Sequence, residues 1–274
     1  MGQFAASIRD GERAVELDPQ DASLAASLGQ TYYGLRRFRD SERVTNAAIA
    51  RLRGAKSKGL LVVKSEAAVG MGNLEEAQAA LDSIQDKDDT DYQAERLRLY
   101  LIERDYSGAK AFAAKVTDEV KRTPNYWLTL AAVFHAEGNV NEERQANAEA
   151  KRSALLALGP RPDDPRLLSE LAIAEASLGQ NEEALRHARH AAEMLPPSVD
   201  AVGGAMCEMN LAAALVMTGD RDAIFDQLSK LVKLPFGLIN YGDLKLNPVW
   251  DDLRDDPRFD RILAESALPI ATGG

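Results

Sequence analysis

The sequence predicts an all-α protein, namely an α-α superhelix (solenoid) of about six stacked helical hairpins with a C-terminal capping helix segment. Three observations support this prediction. Good helix formers, above all Ala, Leu, Glu and Arg, dominate the 274 residues, whereas aromatic residues make up only 6%. Small residues recur every 32 to 41 residues. Short turn-like segments, most of them containing glycine, separate the helical stretches at matching intervals.

The clearest repeat signal is a column of mostly small residues near the start of the second helix of each hairpin. Small side chains suit this position because helices that approach to about 8–10 Å leave little room for long ones. Glu143 is the misfit. The column consists of Ser7, Ser41, Ala77, Ala109, Glu143, Ala184 and Ala223.

Six short segments predict the turns between paired helices. Four of them contain a glycine, which can adopt the left-handed conformation that ends a helix. The segments are residues 35–38, 71–74, 103–106, 137–140, 178–181 and 218–221. In contrast, three prolines between residues 159 and 165 predict a longer loop between repeats, because proline interrupts helices.

The repeats resemble the tetratricopeptide repeat family. The likeness is clearest in residues 27–48, which begin Ser-Leu-Gly-Gln-Thr-Tyr-Tyr, and in residues 171–196, where Glu-Glu-Ala-Leu follows the turn. It covers roughly residues 3–235 and is weaker around Glu143. The resemblance implies a superhelix whose concave face, lined by the first helix of each hairpin, binds a peptide or protein segment.

Residues 243–263 differ from the repeats. They resemble a tail that follows tetratricopeptide arrays in bacterial signalling proteins, among them Ser/Thr protein kinases and transcriptional or cyclase-type regulators. Five apolar residues predict a cap over the open end of the last hairpin: Trp250, Leu253, Phe259, Ile262 and Leu263. We therefore expect a repeat array over residues 1–235, and a capping segment and tail over residues 236–274.

The resemblance places the partner-binding groove on the inner face of the first helices. The residues that the register assigns to this face are mostly apolar, and its methionines suit adaptable binding. A register error of one residue would instead place any of them in the core. They are Gln30, Tyr33, Val62, Glu66, Val69, Arg98, Leu101, Leu128, His135, Ser169, Ile173, Met206, Met209, Val216 and Met217.

The groove pattern also bears on the kind of ligand. Family members that grip a C-terminal carboxylate place Lys, Arg and Asn along the groove, where this chain has Ala26, Gln30, Val62 and Glu66. This difference favours an apolar or helical segment over a free carboxylate.

Two interpretations of function compete. The first is a protein–protein interaction scaffold that binds a segment of its partner in the groove. The second is the regulatory or sensory C-terminal region of a larger bacterial Ser/Thr protein kinase or transcriptional regulator. The chain begins in the middle of a repeat, so we expect a fragment of a longer protein. The length of the natural gene product would separate the two.

Charge and composition narrow the class of partner. The net charge of −10 and the absence of a basic block argue against nucleic acid. The most apolar long stretch, residues 201–217, contains Glu208 and Asn210, so no membrane insertion is expected. The single Cys207 fits a reducing, cytoplasmic compartment. We expect a protein or peptide partner, and leave its identity and the oligomeric state of the chain open.

We expect no catalytic residue, metal or cofactor on this chain. His187 and His190 have a spacing that could hold a metal, but no third ligand is evident, which favours a solvated helix face. Residues 86–91 lack the glycine and the distal glutamate of a calcium loop, so we expect a loop with a helix N-cap. The sequence contains no nucleophile motif and no phosphate-binding motif.

Overall fold

The computed structural model describes residues 4–52 and 58–271, and every regular element in these ranges is helical, as the all-α prediction requires. A 3-10 helix (Pro248–Leu253) lies between the last two α-helices. The α-helices are α1 (Phe4–Leu17), α2 (Ala22–Gly34), α3 (Phe38–Arg51), α4 (Lys58–Met71), α5 (Leu74–Asp82), α6 (Thr90–Ile102), α7 (Tyr106–Ala113), α8 (Asp118–Lys121), α9 (Pro124–Ala136), α10 (Val140–Leu158), α11 (Pro165–Ser177), α12 (Asn181–Met194), α13 (Ala201–Thr218), α14 (Arg221–Leu231), α15 (Tyr241–Leu246) and α16 (Pro257–Ser266).

Within the described ranges the helices form the six predicted hairpins. These are α2–α3, α4–α5, α6–α7, α9–α10, α11–α12 and α13–α14, whose partners pack against each other. Helix α1 precedes the first complete hairpin, and the short α8 follows the third. The first helices also contact one another in order, α2 with α4, α4 with α6, and so on to α13. They thus form one continuous layer.

The six predicted turns lie where the sequence places them. Gly72, Gly138, Gly179 and Gly219 have φ between 73° and 79°, as expected for residues that end a helix in the left-handed region. The other two turns contain no glycine. There Arg36 and Arg104 adopt φ values of 54° and 59°, a conformation that is unfavourable for a side chain with a Cβ atom.

Most of the small-residue column packs between helices, as predicted, whereas its first member, Ser7, is exposed. Ala77, Ala109 and Ala184 are fully buried, and the Ser41 hydroxyl donates to the carbonyl of Gly29 at 2.9 Å. The misfit Glu143 is half-buried, and its carboxylate lies 3.0 Å from Nδ1 of His135 on the paired helix.

The two unusual loops also agree with the sequence. Helix α10 ends at Leu158 and α11 begins at Pro165, so the proline-rich stretch connects two hairpins. The acidic stretch ends in an N-cap, where the Asp89 carboxylate accepts from the backbone N–H of Tyr92 at 3.0 Å.

Helix α13 is long and apolar enough to span a membrane when judged by length and hydropathy alone, and no other helix in the described ranges passes this test. In the structure it is the first helix of the last hairpin. It packs against α11, α12 and α14, and 44% of the stretch Ala201–Thr218 is buried.

The residues after α14 cover the last hairpin. Trp250 and Phe259 share one apolar core with Ile224, Phe225 and Leu228 of α14. The indole Nε1 of Trp250 donates to the Asp243 carboxylate at 2.8 Å, so the polar edge of this buried ring has a partner. The division of the chain at residue 235 stays a prediction.

Candidate functional site: the concave face

The first helices form an inner layer, and the C-terminal part of the chain packs on part of its surface. Residues 232–271, here called the C-terminal segment, run from the last hairpin back to the first ones. Within this segment α15 packs on α4, and the 3-10 helix contacts α9. Leu246 and Ile270 pack against the apolar clusters of the early hairpins. The sequence predicted contacts with the last hairpin only.

Main-chain hydrogen bonds fix the C-terminal segment to the end of α2. The N–H of Phe236 donates to the carbonyl of Gly34 at 2.7 Å, and the N–H of Ile270 donates to the carbonyl of Leu35 at 2.9 Å. The last carbonyls of a helix have no partner within the helix. The C-terminal segment therefore completes the hydrogen bonding of α2 from the far end of the sequence.

Both turns without glycine point an arginine at the C-terminal segment. The buried guanidinium of Arg36 donates to the carbonyls of Val232 and Glu265, and burial lowers the pKa of Arg36 to about 10. Arg104 forms an exposed ion pair with Asp251 at 2.8 Å. These contacts give a reason for arginine at two positions where glycine would avoid backbone strain.

Two glycines permit a close approach between the segment and the inner layer. A Cβ atom on Gly242 would lie 1.5 Å from the carbonyl oxygen of Val69 in α4. A Cβ atom on Gly34 would lie 2.1 Å from the ring of Phe236. The backbones of Gly242 and Val69 are thus nearly in contact, and the Phe236 ring lies against the backbone of Gly34, a common reason for glycine at such places.

A group of charged side chains lies on the inner layer beneath α15. The Glu66 carboxylate accepts from the Gln30 amide at 2.6 Å, and Arg98 donates to both oxygens of Glu95 at 2.8 and 2.9 Å. Burial and the nearby Glu95 charge raise the pKa of Glu66 to about 7. Across the interface, burial raises the pKa of Asp243.

Tyr33 connects this group with the C-terminal segment. Its hydroxyl lies 3.5 Å from the Asn240 amide nitrogen, and its ring packs against Phe38 with centroids 5.8 Å apart. Burial raises the pKa of Tyr33, with the Glu66 charge as a further cause. Beside it a cavity of about 310 Å³ lies between the end of α2, Val202 of α13, and residues 234–240.

The raised pKa of Glu66 predicts that the stability of the folded chain falls as pH rises between about 5 and 8. Burial also raises the pKa of Glu170, on α11, to about 7. Unfolded glutamate titrates near about 4.3, so between these values the folded state binds more protons than the unfolded state. Folding is therefore most favoured at the acidic end, and this contribution is lost as pH rises through about 7. Thermal melts across this range will measure it.

A matched variant isolates the cause. Glu66→Gln with Glu170→Gln removes both titrations, so its melting temperature should depend less on pH than that of the wild type. Aspartates with lowered pKa values, such as Asp256 at about 2, titrate below this window. Equal pH dependence in both proteins would contradict the assignment.

The structure distributes the fifteen predicted groove residues over several environments. Val69, Leu101 and Ser169 are buried in the core, so their assignment to an open groove is corrected. Val69 and Leu101 belong to apolar clusters that include Ala77 and Ala109 of the paired second helices. The Ser169 hydroxyl accepts from the Asn210 amide of α13 at 2.8 Å. His135 is exposed at the end of α9 and pairs with Glu143.

The other eleven predicted residues are half-buried. Gln30, Tyr33, Glu66 and Arg98 belong to the charged group described above. Four others pack against apolar core clusters, namely Val62, Met209, Val216 and Met217. Leu128, Ile173 and Met206 lie on α9, α11 and α13, in the part of the inner layer farther from α15. Their role in binding stays a prediction.

Sequence reasoning missed the residues that the C-terminal segment contributes to this face. Phe236, Asn240, Gly242 and Asp243 all contact or approach the first helices. The available signal was the pair of turns without glycine, at Arg36 and Arg104, which face this segment.

The histidine pair considered as a metal site has other contacts. Nδ1 of His187 lies 2.7 Å from the Glu175 carboxylate, which also pairs with Lys151 at 3.2 Å. His190 is exposed. Across residues 4–52 and 58–271, no group of three or more His, Cys, Asp or Glu side chains is placed to hold a metal ion.

Comparison with solved structures shows the fold. The chain is similar to a tetratricopeptide repeat protein from Parabacteroides merdae, with a TM-score of 0.53 and 12% identity over 97% of this chain and 93% of that one. Similarity to a chain of the APC/C hetero-tetramer Cut9–Hcn1 is lower, with a TM-score of 0.37 and 15% identity over 94% of this chain and 55% of that one. For the TPR2AB domain of yeast Sti1, solved in complex with pHSP90, the TM-score is 0.31 at 16% identity over 97% and 92% of the chains.

The first of these similarities confirms the predicted tetratricopeptide-like superhelix, and at this level of identity it concerns the fold alone. A scan against protein-family models finds no match, and a search of curated proteins finds no relative.

Proposed function

We propose that this chain is a protein–protein interaction scaffold and that it binds a peptide or protein segment on the concave face of the helical layer. One observation carries the proposal. That face already holds a polypeptide, the C-terminal segment, through main-chain hydrogen bonds and apolar side chains. A surface that binds one segment in this way has the donors, acceptors and apolar area needed to bind another.

The C-terminal segment occupies the inner face of the early hairpins, so a partner has two ways to bind. It can occupy the inner faces of α11 and α13, where Ile173 and Met206 are half-buried, next to Leu128 on α9, a helix that the 3-10 helix also contacts. Alternatively, it can replace part of the C-terminal segment. The buried core of an interface is depleted of charged residues and enriched in methionine, which supports Ile173 and Met206 as contact residues.

The cellular context is a further proposal. The resemblance of residues 243–263 to tails of bacterial signalling proteins supports a regulatory region of a Ser/Thr kinase or transcriptional regulator, acting in the cytoplasm. Binding, without catalysis, is the activity that we assign to this chain in either context.

Site-specific photocrosslinking tests the proposed surface. A benzophenone amino acid at Ile173 or Met206 should form adducts with a partner protein in cells that contain the natural gene. The matched control places the same probe at Arg43 or Arg189, which are exposed on the second helices α3 and α12. Adducts at the control positions alone, or at none of the four, would refute the concave face as the binding surface.

A further inference from the structure

A strained loop of the C-terminal segment fills one place on the concave face. Residues 234–240, here called the inner loop, contain Phe236 and Leu238, both with φ of 58°. The left-handed region is costly for residues with a Cβ atom, and bulky side chains are rarely found there. Such a conformation persists only where surrounding contacts hold it.

Phe236 makes the contacts that hold the middle of the inner loop on α2. Its ring lies against the Cα atom of Gly34, where a methyl group would overlap it, and 6.0 Å from the ring of Phe4. Its N–H donates to the carbonyl of Gly34 at 2.7 Å. An aromatic ring and one backbone donor thus anchor a loop whose own conformation opposes docking.

The far side of the inner loop is not tightly packed. The cavity of about 310 Å³ separates it from Tyr33 and Val202, and the Leu238 side chain is 38% exposed. This space can admit a further apolar side chain. In contrast, the rest of the C-terminal segment is anchored in the core by Trp250 and Phe259, and the end of the inner loop shares that core through Ile239, which is 3% exposed. Residues 235–238 can therefore leave the face while Ile239 and the cap stay in place.

We infer that the inner loop is a displaceable internal ligand and that a partner protein replaces it with an extended segment carrying an aromatic–x–leucine sequence. The aromatic ring of the partner takes the place of the Phe236 ring on Gly34, and the backbone N–H of the same residue donates to the Gly34 carbonyl. The leucine of the partner enters the cavity beside Val202. A segment that need not turn through two left-handed residues presents these groups without the strain. The inference rests on the proposed scaffold function and names the partner segment for the same face.

A synthetic peptide copy of the loop tests the inference. The probe is a fluorescein-labelled peptide with the sequence of residues 233–241, Lys-Leu-Pro-Phe-Gly-Leu-Ile-Asn-Tyr. In the full chain, Phe236→Ala removes the aromatic anchor but keeps the strained backbone, so the inner loop should leave its site on Gly34. Fluorescence anisotropy should give a Kd at least tenfold lower for this variant than for the wild type.

Two controls identify the contact. A peptide with alanine in place of its phenylalanine should bind the Phe236→Ala chain at least tenfold more weakly. Adding Gly34→Ala to that chain should weaken binding of the phenylalanine peptide to the same extent, because the new methyl group occupies the site of the aromatic ring. Circular dichroism melts establish that each chain is folded. Equal affinity of the peptide for wild type and variant, or of both peptides for the variant, would overturn the inference, as would no binding.

A measurement on the wild type covers the case in which Phe236→Ala does not fold. Excess phenylalanine peptide should accelerate hydrogen exchange of the Phe236 amide, and the alanine peptide should not. Unchanged exchange would equally overturn the inference. Crosslinking from Ile173, on a helix that contributes no residue to this cavity, does not depend on the loop, so the scaffold function can stand where the displacement fails.

Discussion

Trp250→Ala is expected to lower the free energy of unfolding by about 3–5 kcal/mol, the usual range for removing a fully buried aromatic side chain. Trp250 is completely buried in the core that joins the cap to α14. Its loss also leaves the buried Asp243 carboxylate without the indole donor. Urea unfolding followed by circular dichroism measures the change.

Hydrogen exchange locates this destabilisation. Repeat proteins transmit stability between neighbouring units, so protection should fall first in α14. The C-terminal segment also holds the end of α2, and protection near Leu35 should therefore fall as well. Leu268→Ala, at a residue that is 61% exposed, is the control and should change stability little. If protection is lost in α14 alone, the contact between the C-terminal segment and the end of α2 is contradicted.

Gly242→Ala is expected to destabilise the chain by roughly 3 kcal/mol, near the upper end for one added methyl group. The new Cβ would lie 1.5 Å from the Val69 carbonyl oxygen and 3.1 Å from the backbone nitrogen of Gly72. Backbone atoms cannot rotate away as a side chain can. The whole of α15 must therefore move away from α4. Thermal melts will measure the resulting loss of stability.

Gly59→Ala is the matched control for this substitution. Gly59 lies in α4, and apart from its chain neighbours and the nearby backbone of its own helix, no described atom comes within 4 Å of a Cβ built there. Alanine is favoured over glycine in helices by about 0.5–1 kcal/mol, so this variant should be equally or slightly more stable than the wild type. Equal stability of the two variants would show that α15 does not approach α4 this closely.

Much of the fold could be predicted because its determinants are local. A turn residue, a small residue between two helices and an N-cap such as Asp89 each act within a few positions of the chain. Even the misfit Glu143 has a local explanation, since its partner His135 lies on the paired helix. Six hairpins follow from these signals.

The site was harder to predict because it depends on how the hairpins accumulate into a curve. Helical register gives the inner face of each first helix, but a small rotation per repeat decides whether distant parts meet. Val69, Leu101 and Ser169 were placed on that face, yet the neighbouring helices bury them. The contact of Ile270 with Leu35 carries no local signal at all.

The central claim is that the C-terminal segment lies on the early hairpins and occupies their concave face. Methyl nuclear Overhauser effects in the selectively labelled, full-length chain test it most directly. Ile270 packs against the cluster that contains Leu28, Leu35, Leu52 and Leu60. We predict cross-peaks from the Ile270 methyl group to at least one of these leucines. If the Ile270 resonance shows none and has the narrow line of a freely moving chain end, the segment is not docked and the account is wrong.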